Sequence, residues 1–165
     1  MHTETSKRDT MHFIGMTVRT TNKAEANGTA KIGGLWQRFV QDDVFNHIPH
    51  KVSPAIYAVY HDYASDINGE YMVLIGCEVS RIDSVPDGMD AATLPAAHYT
   101  VFTTEQGPVQ QVVPDTWRDI WINWMPDHGH RRTYTGDFEE YGDEAMDPNN
   151  ARVKIFIAVD SHGRV

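Results

Sequence analysis

The chain has 165 residues, of which 41% are hydrophobic and 22% are charged, and its formal net charge is −9. This length and composition are typical of one globular domain with its own core, and there is no apolar run of the roughly 18 residues that a membrane span needs. The 14 lysines and arginines are scattered, which argues against a nucleic-acid-binding surface, and the single cysteine excludes an internal disulfide.

The N-terminal part of the chain predicts a disordered segment, a strand and a helix. Residues 1–10 are polar and lack the hydrophobic stretch of a signal peptide, so we expect a terminal segment of a cytoplasmic protein. Alternating side chains predict a strand over residues 11–20. Apolar residues at three- and four-residue steps predict a helix over residues 30–45, which ends before Pro49.

Two strands are predicted next, over residues 55–62 and 71–79. They flank Asn68 and Gly69, a pair that is typical of tight turns. The second of these strands is nearly all apolar, as expected in the interior of a sheet. Residues 81–96 are then expected to form a long connector.

The second half of the chain repeats this order. A strand is predicted over residues 97–104 and a helix over residues 114–125. Two further strands are predicted over residues 134–141 and 152–160. Each half therefore contains one strand, one helix and two more strands in sequence.

This repetition predicts the fold class, an α+β domain over residues 11–160. Its halves, residues 11–80 and 97–160, are expected to be duplicated strand–helix–strand–strand modules of the SHS2 type, related by a pseudo-twofold axis. The expected architecture is an antiparallel sheet with two main helices and a central cleft. Clefts between repeated modules are common ligand sites.

Glu139 is the candidate charged group of such a cleft. Side chains alternate along a strand, so Glu139 and Tyr141 share one face if Phe138 and Glu140 share the other. A carboxylate beside aromatic rings offers an organic cation both charge pairing and a π-face. Glutamates are rarely buried, however, so a solvated edge charge remains the simpler interpretation of these residues alone.

Aromatic residues are the other candidates for lining the cleft. Tyrosine combines an apolar ring with a polar tip, so the three tyrosines of the first-half strands are proposed as ligand-binding residues: Tyr57, Tyr60 and Tyr71. Tryptophans at helical spacing usually indicate core packing, but a tryptophan at the edge of the apolar helix face can still line a cleft. The tryptophans proposed for the cleft on this basis are Trp36, Trp117 and Trp121.

The sequence contains no motif that predicts a metal, a cofactor or a catalytic nucleophile. His47 and His50 lie close together in sequence, as do His128 and His130, but neither pair has the further ligands of a zinc site. No glycine-rich phosphate loop and no nucleophile elbow is present. We therefore expect no metal and no cofactor.

Taken together in order, the motifs resemble those of the GyrI-like effector-binding domains. These domains form the C-terminal sensor half of AraC-type and multidrug-responsive regulators, and they also occur as stand-alone proteins that include integron cassette products. The matching stretches are LWQRF (35–39), YAVYHDY (57–63), NGEY (68–71), IGCEV (75–79), VPDGM (85–89), LPA (94–96), HYTVF (98–102), the tryptophan-rich stretch 117–124 and FEEY (138–141).

The resemblance implies the duplicated fold and a central pocket that accepts amphipathic ligands, often organic cations. In the family pattern Phe-Glu-x-Tyr the glutamate projects into that pocket, and here this position is Glu139. No DNA-binding motif precedes residue 11, so we expect any DNA-binding partner in regulation to be a separate chain.

Three functional hypotheses follow. The leading one is a stand-alone domain that senses or sequesters amphipathic, often cationic, organic compounds, either as a homodimer or with a separate transcription regulator. The alternative is a hydrolase of reactive small molecules, as in some GyrI-like proteins, with Glu139 and either Tyr141 or Tyr57 acting on water. The third is a protein-interaction role such as topoisomerase inhibition, which the dispersed acidic residues support poorly.

Overall fold

The computed structural model describes residues 2–26 and 30–160 and arranges their strands in one antiparallel sheet. The strands are β1 (His2–Arg8), β2 (Met11–Thr21), β3 (Ile56–His61), β4 (Glu70–Val79), β5 (Asp90–Leu94), β6 (Ala97–Thr103), β7 (Asp137–Tyr141) and β8 (Lys154–Val159). The α-helices are α1 (Asn22–Ala26), α2 (Ile32–Gln41), α3 (Val44–His47), α4 (Val109–Asp119) and α5 (Met125–His128). A π-helical turn, Ile120–Trp124, joins α4 to α5, and two 3₁₀ turns cover Gly129–Arg131 and Asp143–Ala145.

The order of strands in the sheet shows the duplication. That order is β1-β6-β8-β7-β3-β4-β2-β5, so β7 and β3 pair at the centre and the same sequence of elements extends outward on both sides. The first strand of each half lies outermost in its module, and the two strands after the helix lie inside it. The predicted α+β fold with two strand–helix–strand–strand modules about a pseudo-twofold axis is confirmed.

One face of the sheet carries the helices. Leu35 and Phe39 of α2 are buried against β2, β3 and β4, in the first module. In the second module, Ile120 and Trp124 are buried beside Phe102. Helix α2 and helix α4 with its π-helical turn therefore cover opposite halves of this face. The central strands β3 and β7 lie between them.

The opposite face forms an aromatic core, and none of the described helices contributes a residue to it. Phe13 of β2 and Phe138 of β7 lie three strands apart in the sheet, but their ring centroids are only 6.3 Å apart. Neighbouring strands are separated by about 4.8 Å, so a flat sheet would hold these rings more than twice as far apart. The sheet is thus strongly curved around this core.

A glycine pair permits close approach between β2 and β4. Gly15 and Gly76 are directly opposite each other. A Cβ atom on Gly15 would lie 2.1 Å from the carbonyl oxygen of Ile75, and one on Gly76 would lie 2.0 Å from that of Ile14. Neither position accepts a side chain unless the backbone moves.

Two strands lie where the sequence predicted none. Residues 2–8 form β1, which pairs with β6, instead of the expected disordered terminal segment. The connector 81–96 contains β5, which pairs with the other outer strand, β2. Both are edge strands held through backbone hydrogen bonds, so they need little of the apolar alternation on which the prediction depended.

The helices also differ from the prediction in their ends. The helix expected over residues 30–45 breaks after Gln41, where Asp43 adopts a left-handed conformation with φ 52°. Helix α4 begins at Val109, five residues before the predicted start, and continues through Pro114. The proline removes the hydrogen bond to the Gln110 carbonyl, and the loss is tolerated on the open side of the helix, where both residues are exposed.

Within the described ranges, no helix combines the length and apolar character needed to cross a membrane.

Candidate functional site

A cavity of about 1280 Å³ lies between α2 and α4, above the central strands β3 and β7. Both modules contribute to it, since α2 and β3 belong to the first and α4 and β7 to the second. The N-terminal helix α1 adds Asn22 and Glu25 to the wall. The cavity therefore lies at the pseudo-twofold junction where the sequence predicted a cleft.

Glu139 on β7 is buried at this cavity, with 3% of its surface exposed. The Tyr60 hydroxyl and the Trp117 indole nitrogen donate hydrogen bonds to Oε2 over 2.9 and 2.7 Å. The Tyr141 hydroxyl donates to Oε1 over 2.6 Å. Three neutral donors, from β3, α4 and β7, thus fix the orientation of the carboxylate.

The register of β3 on β7 explains how this carboxylate is accommodated. Ala58 lies directly opposite Glu139, and its small side chain leaves space above the sheet. Tyr60, two residues further along β3, shares that face and reaches Glu139 diagonally. Strand alternation then puts Tyr141 on the same face as Glu139, as predicted.

Glu139 has no basic partner in the part of the chain that the structure describes. Among the described residues, no Lys, Arg or His side chain forms an ion pair with it. Burial raises the pKa of Glu139 above its ordinary value, and the hydrogen bonds from Tyr141, Trp117 and Tyr60 oppose this shift by stabilising the ionised form. The site therefore holds a desolvated acidic group. A bound cation would stabilise the ionised form of this group.

The hydroxyls around Glu139 act as hydrogen-bond donors. Burial and the neighbouring carboxylate raise the pKa of both Tyr60 and Tyr141 well above the ordinary tyrosine value. Both phenols consequently remain protonated at neutral pH. Both tyrosines line the cavity, so their rings form part of its apolar surface.

Aromatic rings form the walls on both sides of the carboxylate. Trp36 of α2 packs edge-on against Tyr141 with ring centroids 5.0 Å apart. Across the cavity, the centroids of Trp117 and Trp121 are 6.0 Å apart, and Trp121 is 41% exposed. All three tryptophans line the cavity, and Trp36 and Trp117 also pack against the core, so both sequence interpretations apply to these two residues.

Tyr71 and Asn22 form the wall toward α1. The Tyr71 hydroxyl donates to Oδ1 of Asn22 over 2.8 Å, and Asn22 in turn donates to the Ile67 carbonyl oxygen over 2.8 Å. The Tyr71 ring is 5.8 Å from that of Tyr60. The wall is thus continuous with the rings around Glu139.

A buried ion pair lies next to this wall. Nη2 of Arg132 is 2.7 Å from Oδ2 of Asp137, and their side chains are 3% and 0% exposed. The Tyr63 hydroxyl also donates to Oδ2 of Asp137, and the Ala158 backbone N–H donates to Oδ1. Arg132 and Tyr63 face the cavity, whereas Asp137 does not line it.

Most of the predicted site residues line this cavity. They are Glu139, Tyr141, Tyr60, Tyr71, Trp36, Trp117 and Trp121. Sequence reasoning missed Tyr63, Asn22 and Arg132. Tyr63 ends the stretch YAVYHDY (57–63), whereas Asn22 begins the short helix α1 and Arg132 follows a 3₁₀ turn, and neither position has a periodic signal in the sequence.

Tyr57 is the predicted residue that the structure places elsewhere. It packs in the aromatic core of the opposite face, 5.3 Å from the Phe13 ring and 5.8 Å from the Phe138 ring. Its hydroxyl donates to Glu140, which shares that face, over 2.9 Å. Tyr57 and Tyr60 are three positions apart on one strand, so alternation places only one of them at the cavity.

The duplicated sheet and its enclosed, aromatic-walled carboxylate define a small-molecule-binding domain. The chain belongs to the family of integron-associated effector binding proteins, Cass2, whose model matches residues 5–159. The resemblance to GyrI-like effector-binding domains is thereby confirmed.

Individual relatives agree with this assignment. An integron cassette protein of Vibrio cholerae, VCH_CASS2, is 31% identical with a TM-score of 0.75, and the match covers 96% of this chain and 95% of that one. The YobU protein of Bacillus subtilis (strain 168), whose name assigns it provisionally to the transcriptional regulators, is 34% identical over 92% of this chain and 93% of its own length.

Two more distant proteins are also similar to this chain, one in sequence and one in fold. The transcriptional regulator BrlR of Pseudomonas aeruginosa (strain PAO1) is 29% identical, and this chain spans 56% of its length. SAV2435, solved with bound tetraphenylphosphonium, has a TM-score of 0.80 at 19% identity over 99% of this chain and 98% of that one.

Proposed function

We propose that the chain binds amphipathic organic cations in the cavity and thereby senses or sequesters them, with Glu139 as the charge partner. The main support for this proposal is the buried carboxylate of Glu139, which has three neutral hydrogen-bond donors and no basic partner among the described residues. A desolvated carboxylate attracts a cation more strongly than an exposed one, because little solvent screens the pair.

The walls of the cavity suit the apolar part of such a ligand. Trp36, Trp117 and Trp121 line the same cavity as Glu139. A cation over an aromatic face is stabilised by the negative potential of the ring, and rigid rings lose little entropy on binding. Delocalised cations with aromatic substituents combine both requirements.

The comparisons support this proposal in two ways. SAV2435, which has the same fold, binds tetraphenylphosphonium, a lipophilic cation without hydrogen-bond donors. YobU and BrlR carry names that refer to transcriptional regulation, which supports a regulatory use of ligand binding.

A charge-inverted ligand pair tests the proposal. Tetraphenylphosphonium and tetraphenylborate have nearly the same size and shape but opposite charge. In calorimetric titrations we expect saturable one-site binding of the cation and at least about tenfold weaker binding of the anion, equivalent to about 1.4 kcal/mol. Equal affinity for the two ions would show that the carboxylate does not select the ligand.

A further inference from the structure

Arg132 presents a second polar group to the cavity that ligand binding at Glu139 does not use. Its guanidinium carbon lies 4.4 Å from the ring centroid of Tyr134 and 6.0 Å from that of Tyr63. The two rings and the bond to Asp137 hold the side chain in place. Arg132 is therefore an ordered part of the wall.

The hydrogen-bonding capacity of this group is only partly used. Asp137 accepts hydrogen bonds from Ala158, Tyr63 and Arg132. By contrast, Nε of Arg132 is buried and has no acceptor within residues 2–26 and 30–160. Among the described residues, the guanidinium forms a side-chain hydrogen bond only with Asp137, so most of its five N–H groups are left for an acceptor supplied from the cavity that Arg132 lines.

The two polar groups lie along one aromatic wall. Tyr60, which bonds Glu139, is 5.8 Å from Tyr71, and Tyr71 is 5.8 Å from Tyr63 beside Arg132. The cavity volume of about 1280 Å³ exceeds the usual range for drug-sized ligands, about 300–1,000 Å³. A single elongated ligand can thus extend from Glu139 to Arg132.

We infer that Arg132 forms a second subsite, which donates a hydrogen bond to an uncharged oxygen of the bound cation, such as a carbonyl oxygen. The oxygen is uncharged because Asp137 already neutralises the guanidinium. The preferred ligand is then an amphipathic cation that carries a hydrogen-bond acceptor on the part remote from its charge. This inference rests on the proposed function.

Two matched pyridinium ions test the subsite. N-benzyl-4-benzoylpyridinium and N-benzyl-4-benzylpyridinium have the same charge and similar size, and they differ in a carbonyl in place of a methylene. In calorimetric titrations we expect the benzoyl compound to bind about tenfold more tightly, as for a hydrogen bond from a charged donor. A crystal soaked with it should show the carbonyl oxygen within hydrogen-bonding distance of Arg132.

Variants separate this subsite from the proposed function. The double variant Arg132→Met with Asp137→Asn removes the donor at position 132 and leaves no unpaired charge, and we expect it to bind both compounds equally, with folding checked by circular dichroism. Glu139→Gln should weaken the binding of both compounds and keep the preference for the benzoyl compound.

Three results would overturn the inference. Equal binding of the two compounds by the unmodified protein removes the subsite and leaves the proposed function intact. A carbonyl oxygen placed away from Arg132 in the crystal also removes it, and this result does not depend on the folding of any variant. Binding of neither compound removes the subsite, and the titration with tetraphenylphosphonium then decides separately whether the proposed function stands.

Discussion

The indole nitrogen of Trp117 lies 2.7 Å from Oε2 of Glu139 and donates a hydrogen bond to it. This bond connects α4, which walls the cavity, to β7, which forms its floor. The indole ring is simultaneously 5.8 Å from the ring of Tyr60, which donates to the same oxygen. A ligand that approaches the carboxylate must therefore contact these rings, so tryptophan fluorescence should report binding.

Substitution Glu139→Gln should weaken cation binding. The amide retains an oxygen for Tyr60 and Trp117, and its NH₂ group can donate to the Tyr141 hydroxyl, so the local structure is preserved while the charge is lost. We expect the Kd for tetraphenylphosphonium, measured by tryptophan fluorescence, to rise about tenfold or more.

The neighbouring residue gives a matched control for this substitution. Glu140 is on the opposite face of β7, where it accepts a hydrogen bond from Tyr57. Glu140→Gln makes the same change in net charge, but we expect it to leave the Kd unchanged. Equal weakening by both substitutions would mean that only the overall charge of the protein matters.

Cation binding should weaken as the pH falls. Burial raises the pKa of Glu139 above the ordinary value of 4.5, and protonation removes the charge that attracts the ligand. Tetraphenylphosphonium does not titrate, so a loss of affinity between pH 8 and pH 5 must come from the protein. Glu139→Gln should bind weakly with little dependence on pH, and a parallel loss of affinity in this variant would assign the effect to another group.

The same pKa shift should make Glu139→Gln more stable than the unmodified protein at neutral pH. Between 4.5 and its raised pKa, Glu139 holds a proton in the folded state but not in the unfolded state. The free energy of unfolding therefore falls as the pH rises through this window, and the loss persists above it. The Tm advantage of the variant should grow from pH 4 to pH 8, whereas a constant advantage would contradict this linkage.

The central part of the fold could be predicted from the sequence because its strands and helices have clear hydrophobic periodicity. β4 is nearly all apolar, and α2 has its apolar residues on one face. β1 and β5 lack such a signal. They pair through backbone hydrogen bonds with β6 and β2, which are distant in sequence. Long-range edge pairing of this kind leaves little trace in local composition.

The candidate site was predictable to the extent that strand alternation determines it. Alternation correctly put Glu139 and Tyr141 on one face, and the same rule separates Tyr57 from Tyr60. Arg132 was not predictable, because its contacts with Tyr63 and Tyr134 depend on connecting segments with unusual backbone geometry. Tyr134 itself has φ 55°, a left-handed conformation for which its sequence gives no local signal.

Loss of the buried ion pair should destabilise the fold strongly. Asp137→Ala leaves the Arg132 guanidinium buried without a counter-charge, which typically costs about 3–5 kcal/mol. Asp115→Ala breaks the exposed pair with Arg118 and should cost about 0–1 kcal/mol. Urea unfolding measures both, and similar losses for the two variants would contradict a structural role for the buried pair.

Tyr60→Phe and Tyr57→Phe should separate the two faces of β3. Tyr60→Phe removes one donor from Glu139, and because that donor stabilises the ionised form, the pKa of Glu139 should rise further. The pH midpoint for tetraphenylphosphonium binding should therefore move to higher pH. Tyr57→Phe removes a hydroxyl that bonds Glu140 on the opposite face, so the midpoint should stay unchanged while stability falls by about 1 kcal/mol. A midpoint that moves equally in both variants would show that the two hydroxyls do not act on different faces of the sheet.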